Sequence, residues 1–175
     1  MMRPRDISAS ALLQQFQQCG VNEAVSTPDF VQLSLHQMIE RPESGIRTTY
    51  CSNENQALHV ASGLIIGGRK PIVMMQNQGL HNCINTLRTC GLDARLPLFM
   101  VIGQFGREFG NVGLDSRLSR RRMVNLLLPV LDALKIRAWT VDADDEVDGV
   151  KEAWRYSRAN EAPVALIIGH YTAWD

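Results

Sequence analysis

Apolar positions recur along this chain in two alternating periods, one of helix spacing and one of short unbroken runs. Leu12, Leu13, Phe16 and Cys19 fall on one side of a helix that Ser8 or Ser10 can cap and Gly20 ends. Residues 21–27 read as a first strand, 29–40 as a helix and 46–50 as a second strand. Asn53 is a good N-cap, Gln56 stands three residues on, and Ala57, Leu58, Ala61, Leu64 and Ile65 share one face; these predict a helix starting at or beside Glu54 and stopped by Gly67 and Gly68. After Pro71, Ile72, Val73, Met74 and Met75 form a short apolar run suited to the middle of a parallel sheet, and a second helix follows. Residues 96–102 make a fourth strand, 123–134 a helix despite Pro129, 136–141 a fifth strand, 144–158 a helix and 164–168 a sixth strand. Helices alternating with strands predict an α/β fold, a doubly wound, six-stranded, mainly parallel sheet with helices on both faces, formed by residues 1–175 as a single domain.

Composition narrows the function. The 175 residues are 45% hydrophobic, enough for a full core, and carry no formal net charge, which argues against general nucleic-acid binding. No apolar run approaches the roughly 20 residues of a membrane span, and the start of the chain, with Arg3, Arg5 and Asp6, has no signal-peptide core, so a cytoplasmic protein without membrane contact is expected. Cys19, Cys51, Cys83 and Cys90 include no C-x-x-C pair, and the four histidines lack i,i+4 partners; no metal site is expected on this chain. The acids from Asp142 to Glu146 have Val147 where a calcium loop needs glycine, and they read as a helix N-terminus. The glycines from Gly63 onward are spaced like a phosphate loop but end Arg69-Lys70-Pro71, a helix-to-strand turn.

In such sheets ligands bind beyond the carboxyl ends of the strands. Four loops should converge there: 26–29, 51–54, 76–79 and 103–107. The second carries Glu54. As a lone acid in a first helical turn it needs no more explanation than the helix dipole. Its company suggests more, because Gln76, Asn77, Gln78 and Gly79 end the next strand, and His81, Asn82 and Asn85 follow. Uncharged hydrogen-bonding groups in that density suit a neutral heteroaromatic ligand better than a phosphate.

At these residues the chain resembles the pyrimidine-binding (Pyr) half of thiamine-diphosphate enzymes, within them the separate alpha subunits of the sulfopyruvate and phosphonopyruvate decarboxylase group. The resemblance rests on N-E-x-x-A-x-x-x-A-x-G (Asn53, Glu54, Ala57, Ala61, Gly63), on M-Q-N-x-G-L-x-N-x-I-N (Met75 to Asn85), on the Gly-x-Lys-Pro before the third strand, and on a later L-D-A-L-x-I segment. It implies thiamine diphosphate as cofactor, with Glu54 as the acid that favours the reactive tautomer of its aminopyrimidine, and Asn53, Gln76, Asn77, Gly79 and Asn82 as further cofactor contacts. It implies a small 2-oxo acid as substrate, lined by Thr27, Asp29, Gln78, His81 and Gln104, and release of carbon dioxide. Asp29 either faces that substrate or caps the following helix. His81 either relays protons or, the favoured reading, packs and lines the pocket. Gln104 replaces the histidines of pyruvate decarboxylases and cannot act as an acid, and Gln78 and His81 replace the Ser and Gly common in the group.

The G-D-G and N-N patterns that hold diphosphate and Mg²⁺ in this family are missing here. A separate PP-domain beta subunit is therefore expected to supply them, in a hetero-oligomer with a shared site. Arg117, Arg120, Arg121 and Arg122 face a substrate anion, carboxylates of that subunit, or solvent, the last two being favoured. The competing readings are a flavodoxin-like nucleotide-binding module and a non-catalytic assembly subunit.

Overall fold

The computed structural model describes residues 6–175, so the expectation based on Arg3 and Arg5 lies outside the described residues. The elements are β1 (Ile7–Ser8), α1 (Ala9–Gln18), β2 (Glu23–Ser26), α2 (Leu33–Glu40), β3 (Arg47–Tyr50), α3 (Glu54–Ile66), β4 (Pro71–Gln76), α4 (Asn77–Asn82), α5 (Ile84–Thr86), β5 (Phe99–Gly103), α6 (Arg122–Asn125), α7 (Leu127–Ala133), β6 (Arg137–Val141), α8 (Gly149–Asn160), β7 (Val164–Ile168) and β8 (Thr172–Ala173). The six predicted strands are β2 to β7, joined in the order β3-β2-β4-β5-β7-β6 with every pair parallel. The predicted doubly wound α/β sheet is therefore present. A two-stranded pair, β1 with β8, was not expected; two residues on each side are too few to leave a periodic pattern.

Alternation along each strand divides the core in two. Ile72, Met74, Phe99, Val101, Leu166 and Ile168 point to one face, under Phe16 of α1, Leu35 of α2 and Trp154 of α8. Val73, Met75, Met100, Ile102 and Ile167 point to the other, under Ala57, Leu58 and Ala61 of α3, Leu80 of α4 and Leu127 and Leu131 of α7. Strands this apolar on both faces need cover on both, which is why the helices segregate as they do.

Three boundaries differ from expectation for local reasons. The helix expected over 29–40 begins at Leu33, because the Asp29 carboxylate accepts from the N–H of Val31 and its carbonyl from that of Gln32, closing a turn first. The strand expected from 96 begins at Phe99, since Pro97 has no N–H for the ladder. The helix expected over 123–134 breaks at Leu126 into α6 and α7; Pro129 cannot donate to the carbonyl of Asn125 and sits instead in the first turn of a new helix, where no donor is needed.

Candidate active site

The sheet order reverses between β3-β2 and β4, so the loops leaving β2 and β4 diverge to opposite faces and open a crevice at their carboxyl ends. All four predicted loops stand at this end on adjacent strands, and side chains tie them together. Asp29, after β2, is 2% exposed and accepts from Val31 N at 2.9 Å, Gln32 Nε2 at 2.6 Å, the Gln76 amide and the N–H of Gly103. Asn77, after β4, is fully buried and donates to the carbonyls of Phe105 at 3.1 Å and Met123 at 3.3 Å. Glu54, after β3, lies half-buried against Gly79, after β4.

The α3 N-terminus forms as its sequence dictates. Asn53 caps it by accepting from Gln56 N at 2.9 Å, and the Gln56 side chain reaches back to Ser52, accepting from its N–H and its hydroxyl at 2.9 Å each. This is a capping box displaced by one residue. It fixes the direction in which Glu54 leaves the helix, towards α4. There the carboxylate meets a long 3.4 Å contact from Asn82 Nδ2, and its atoms fill the space a side chain on Gly79 would need, with Oε1 and Cδ 2.6 and 2.5 Å from the position of an added Cβ. Beneath, the buried Cys83 thiol donates to the Gly79 carbonyl at 3.2 Å; burial, with the nearby Glu54 charge second, pushes its pKa up to about 12, so it stays a thiol.

Between α2 and the ends of β3 and β4 is a cleft of about 390 Å³ walled by Asp29, Phe30, Leu33, His36, Glu40, Tyr50 and Gln76. Burial raises the Asp29 pKa to about 6 against the pull of its four donors. Burial alone lowers His36 to about 4, so its imidazole is neutral at pH 7. No lysine or arginine lines the cleft among the described residues.

Of the residues singled out from sequence, Glu54, Gly79 and Asn82 form one contact group, and Asp29 and Gln76 a second. Thr27 is buried, with both its N–H and its hydroxyl on the Met74 carbonyl, at 3.1 and 3.5 Å. In this chain the Asn53 side chain serves as a cap and Asn77 as a strut between loops. Gln78 is exposed and reaches Met123 Sδ at 3.5 Å, and His81 is half-buried. Gln104 is 2% exposed, and neither polar atom of its side-chain amide has a hydrogen-bond partner among the described residues. Of the two readings of Asp29, the capping-type contact to Val31 is present, and the residue also lines the cleft.

Sequence reasoning missed three contributors. Gln32 is fully buried and clamps Asp29 to the Val101 carbonyl, which Nε2 meets at 3.2 Å; only its place three residues after an acid hinted at that. His36 sits on the cleft side of α2, at a position that reads as part of an apolar stripe. Arg107 and Asp142 form a buried pair at 2.5 and 3.0 Å that anchors the loop after β5. They are 35 residues apart, which no local pattern reveals.

Comparison with solved structures places the fold among thiamine-diphosphate-dependent enzymes. The chain superposes on a 4-hydroxybenzoylformate decarboxylase of Rhodococcus jostii with a TM-score of 0.68 at 14% identity, over 95% of this chain and 31% of that one. It also superposes on a benzoylformate decarboxylase of Polynucleobacter necessarius with a TM-score of 0.70 at 15% identity, over 94% and 30%. The chain thus spans about a third of the solved chains it matches. No protein-family model matches it.

Among characterised sequences, the chain is similar to sulfopyruvate decarboxylase subunit alpha of Methanococcus maripaludis, 27% identical over 119 residues, 67% of this chain and 68% of that one. It is likewise similar to the subunit of the same name in Methanothermobacter thermautotrophicus, 26% identical over 101 residues, 58% and 61% of the two chains. The resemblance read from the motifs is borne out.

Proposed function

We propose that this chain is the alpha, pyrimidine-binding subunit of a thiamine-diphosphate-dependent 2-oxo acid decarboxylase, a carbon–carbon lyase completed by a second polypeptide. The observation that carries the reading is the placement of Glu54, half-buried against Gly79 with Asn82 at its Oε2, at the carboxyl end of a sheet whose folded relatives are thiamine-diphosphate enzymes. The residues fit one half of the cofactor. The Glu54 carboxyl, seated in the space that the bare Gly79 leaves, can hydrogen-bond a ring nitrogen, and the surrounding amides can bond a neutral heterocycle. The G-D-G and N-N patterns that would hold the other half are missing from the sequence, and this reading assigns Mg²⁺ and the diphosphate to the partner. When bound, thiamine diphosphate supplies the electron sink for the bond electrons left as carbon dioxide departs.

The residues of this chain then have separate tasks. Glu54 holds the proton at the ring nitrogen, with Asn82 orienting its carboxyl and Gly79 giving it space. Asp29 and Gln76 close the cleft towards the substrate, and the Gln104 amide, which has no hydrogen-bond partner among the described residues, is available to a substrate oxygen. Phe30, Leu33 and Tyr50 wall the space for a small 2-oxo acid. An anionic substituent would find no cation among the described residues of this cleft. No described helix is long and apolar enough to cross a membrane, and the four cysteines are free thiols, which supports action in the cytoplasm.

The test is to co-express the chain with a companion carrying the diphosphate- and metal-binding motifs, supply Mg²⁺ and thiamine diphosphate, and follow carbon dioxide release from a panel of 2-oxo acids. Glu54→Gln should lower turnover by about 10²-fold or more while the complex stays intact. Full activity in that variant would refute the assignment. Tight nucleotide binding by the chain alone would favour a nucleotide-binding module instead.

A further inference from the structure

The segment 104–126, between β5 and the end of α6, is long but not loose. The Arg107 side chain, 1% exposed, pairs with Asp142 through both terminal nitrogens and also donates to Asn111 Oδ1 at 2.9 Å and to the carbonyls of Asn111 and Leu114 at 3.0 and 2.8 Å. The N–H of Gly113 donates to Asp142 at 2.8 Å. Further along, Glu108 accepts from the Ser119 hydroxyl at 2.6 Å and from Arg120 N at 2.9 Å, and Asn125 donates to the Ser119 carbonyl at 2.9 Å. A segment fastened this firmly has its outward side chains placed by design of the fold rather than by chance.

What it turns outward is apolar and cationic together. Leu114 is 58% exposed and Leu118 72%, and with Arg120 they line a groove of about 390 Å³. Arg117 is neutralised within the chain by Asp115 and Asp132. Arg120, Arg121 and Arg122 are exposed and make no ion pair among the described residues; Arg121 acts on Glu108 only at longer range, as the last of the influences holding that carboxyl below its ordinary range, the Ser119 bond being the first. Every cationic residue of the segment is an arginine and none is a lysine. Leucines around unpaired guanidinium groups on a preformed surface are the composition of a protein interface, and arginine is the cation that pairs carboxylates in two-point geometry.

We propose that this surface docks a partner polypeptide that presents carboxylates among apolar side chains, and that the partner is the second subunit; the proposal rests on the two-chain reading above. Charge complementarity selects this occupant. A second copy meeting the patch across a twofold axis would set arginines against arginines. A phosphate backbone would leave the leucines unused.

The experiment measures association of the chain with the companion subunit at low and high salt, for the unsubstituted chain, for Arg120→Glu/Arg122→Glu, for Leu118→Asp, and for Arg155→Glu on α8 as a control. Thermal unfolding of each chain checks folding. Both patch variants should weaken association by about tenfold or more, the arginine variant should lose most of the salt dependence, and the control should match the unsubstituted chain. Association unchanged within about twofold overturns the proposal. So does the absence of any complex with the companion, self-association of the chain that the patch variants abolish, or lost turnover at unaltered association, which would make the arginines a substrate-anion site. Failure of the active-site reading looks different: the complex forms through the patch, yet Glu54→Gln leaves turnover unaffected.

Discussion

Replacing Gly79 with alanine separates the placement of Glu54 from the stability of the fold. An added methyl group at this position overlaps Glu54, meeting Cγ, Cδ and Oε1, the last two at 2.5 and 2.6 Å, where carbon atoms in contact normally stand about 3.5–4.0 Å apart. The obstructing atoms include Cγ, close to the Glu54 backbone, so a small adjustment of the carboxylate tip is not enough and the side chain must rotate away. Its Asn82 contact is then lost, at a cost of about 1 kcal/mol, while alanine in place of glycine within α4 returns about 1 kcal/mol of helix propensity. The two nearly cancel, and the midpoint of thermal unfolding should move by no more than about 2–4 °C. Turnover should not be spared in this way. A carboxyl moved by an ångström or more from its partner nitrogen loses on the order of 10²-fold in rate, the same direction and scale as Glu54→Gln. The assay pairs a thermal scan with carbon dioxide release by the reconstituted complex at saturating cofactor. Turnover kept within about threefold in a folded Gly79→Ala protein would show that the observed position of Glu54 is not the working one.

Three further outcomes follow from the same geometry. Asp29, raised from 3.8 to about 6 by burial, contributes stability that is full below pH 3.8 and is lost as pH rises through about 6; His36, lowered from 6.5 to about 4, contributes stability present above pH 6.5 and lost as pH falls through about 4. Each is worth about 3 kcal/mol and they oppose one another. Urea unfolding should therefore show His36→Leu losing stability as pH rises from 4 to 6 and Asp29→Asn losing it as pH falls from 6.5 to 4, and slopes of the same sign would refute the assignment. Arg107→Met leaves the buried Asp142 carboxylate without its counter-ion and should destabilise by about 3–5 kcal/mol in denaturant titration, with faster proteolysis within 108–121. Gln104→Met should leave the unliganded chain as stable or about 1 kcal/mol more so, because neither amide atom has a partner to lose among the described residues, while raising KM for the 2-oxo acid; a clear loss of stability would mean the amide is already satisfied.

The amino-acid sequence by itself determined the period of every large element and the local chemistry of the α3 start. Helix and strand spacing, the Asn53 cap with Gln56, and the Met75 to Asn85 run of amides are short-range properties, decided by neighbours within a turn or two, and they led to Glu54, Gln76, Gly79 and Asn82 directly. Tertiary structure decided what those side chains meet. That Asn77 braces two other loops, that Asp29 is clamped by Gln32 and Gly103, and that Arg107 closes on Asp142 depend on strands brought side by side by the crossover order, and such contacts leave no periodic mark in the chain. The same applies to His36, which shares a helix with apolar residues and lines the cleft only because α2 packs beside the ends of β3 and β4. Burial then set the protonation of both groups, because the free energy of a charge depends on how much water the whole fold excludes, a quantity no local segment carries.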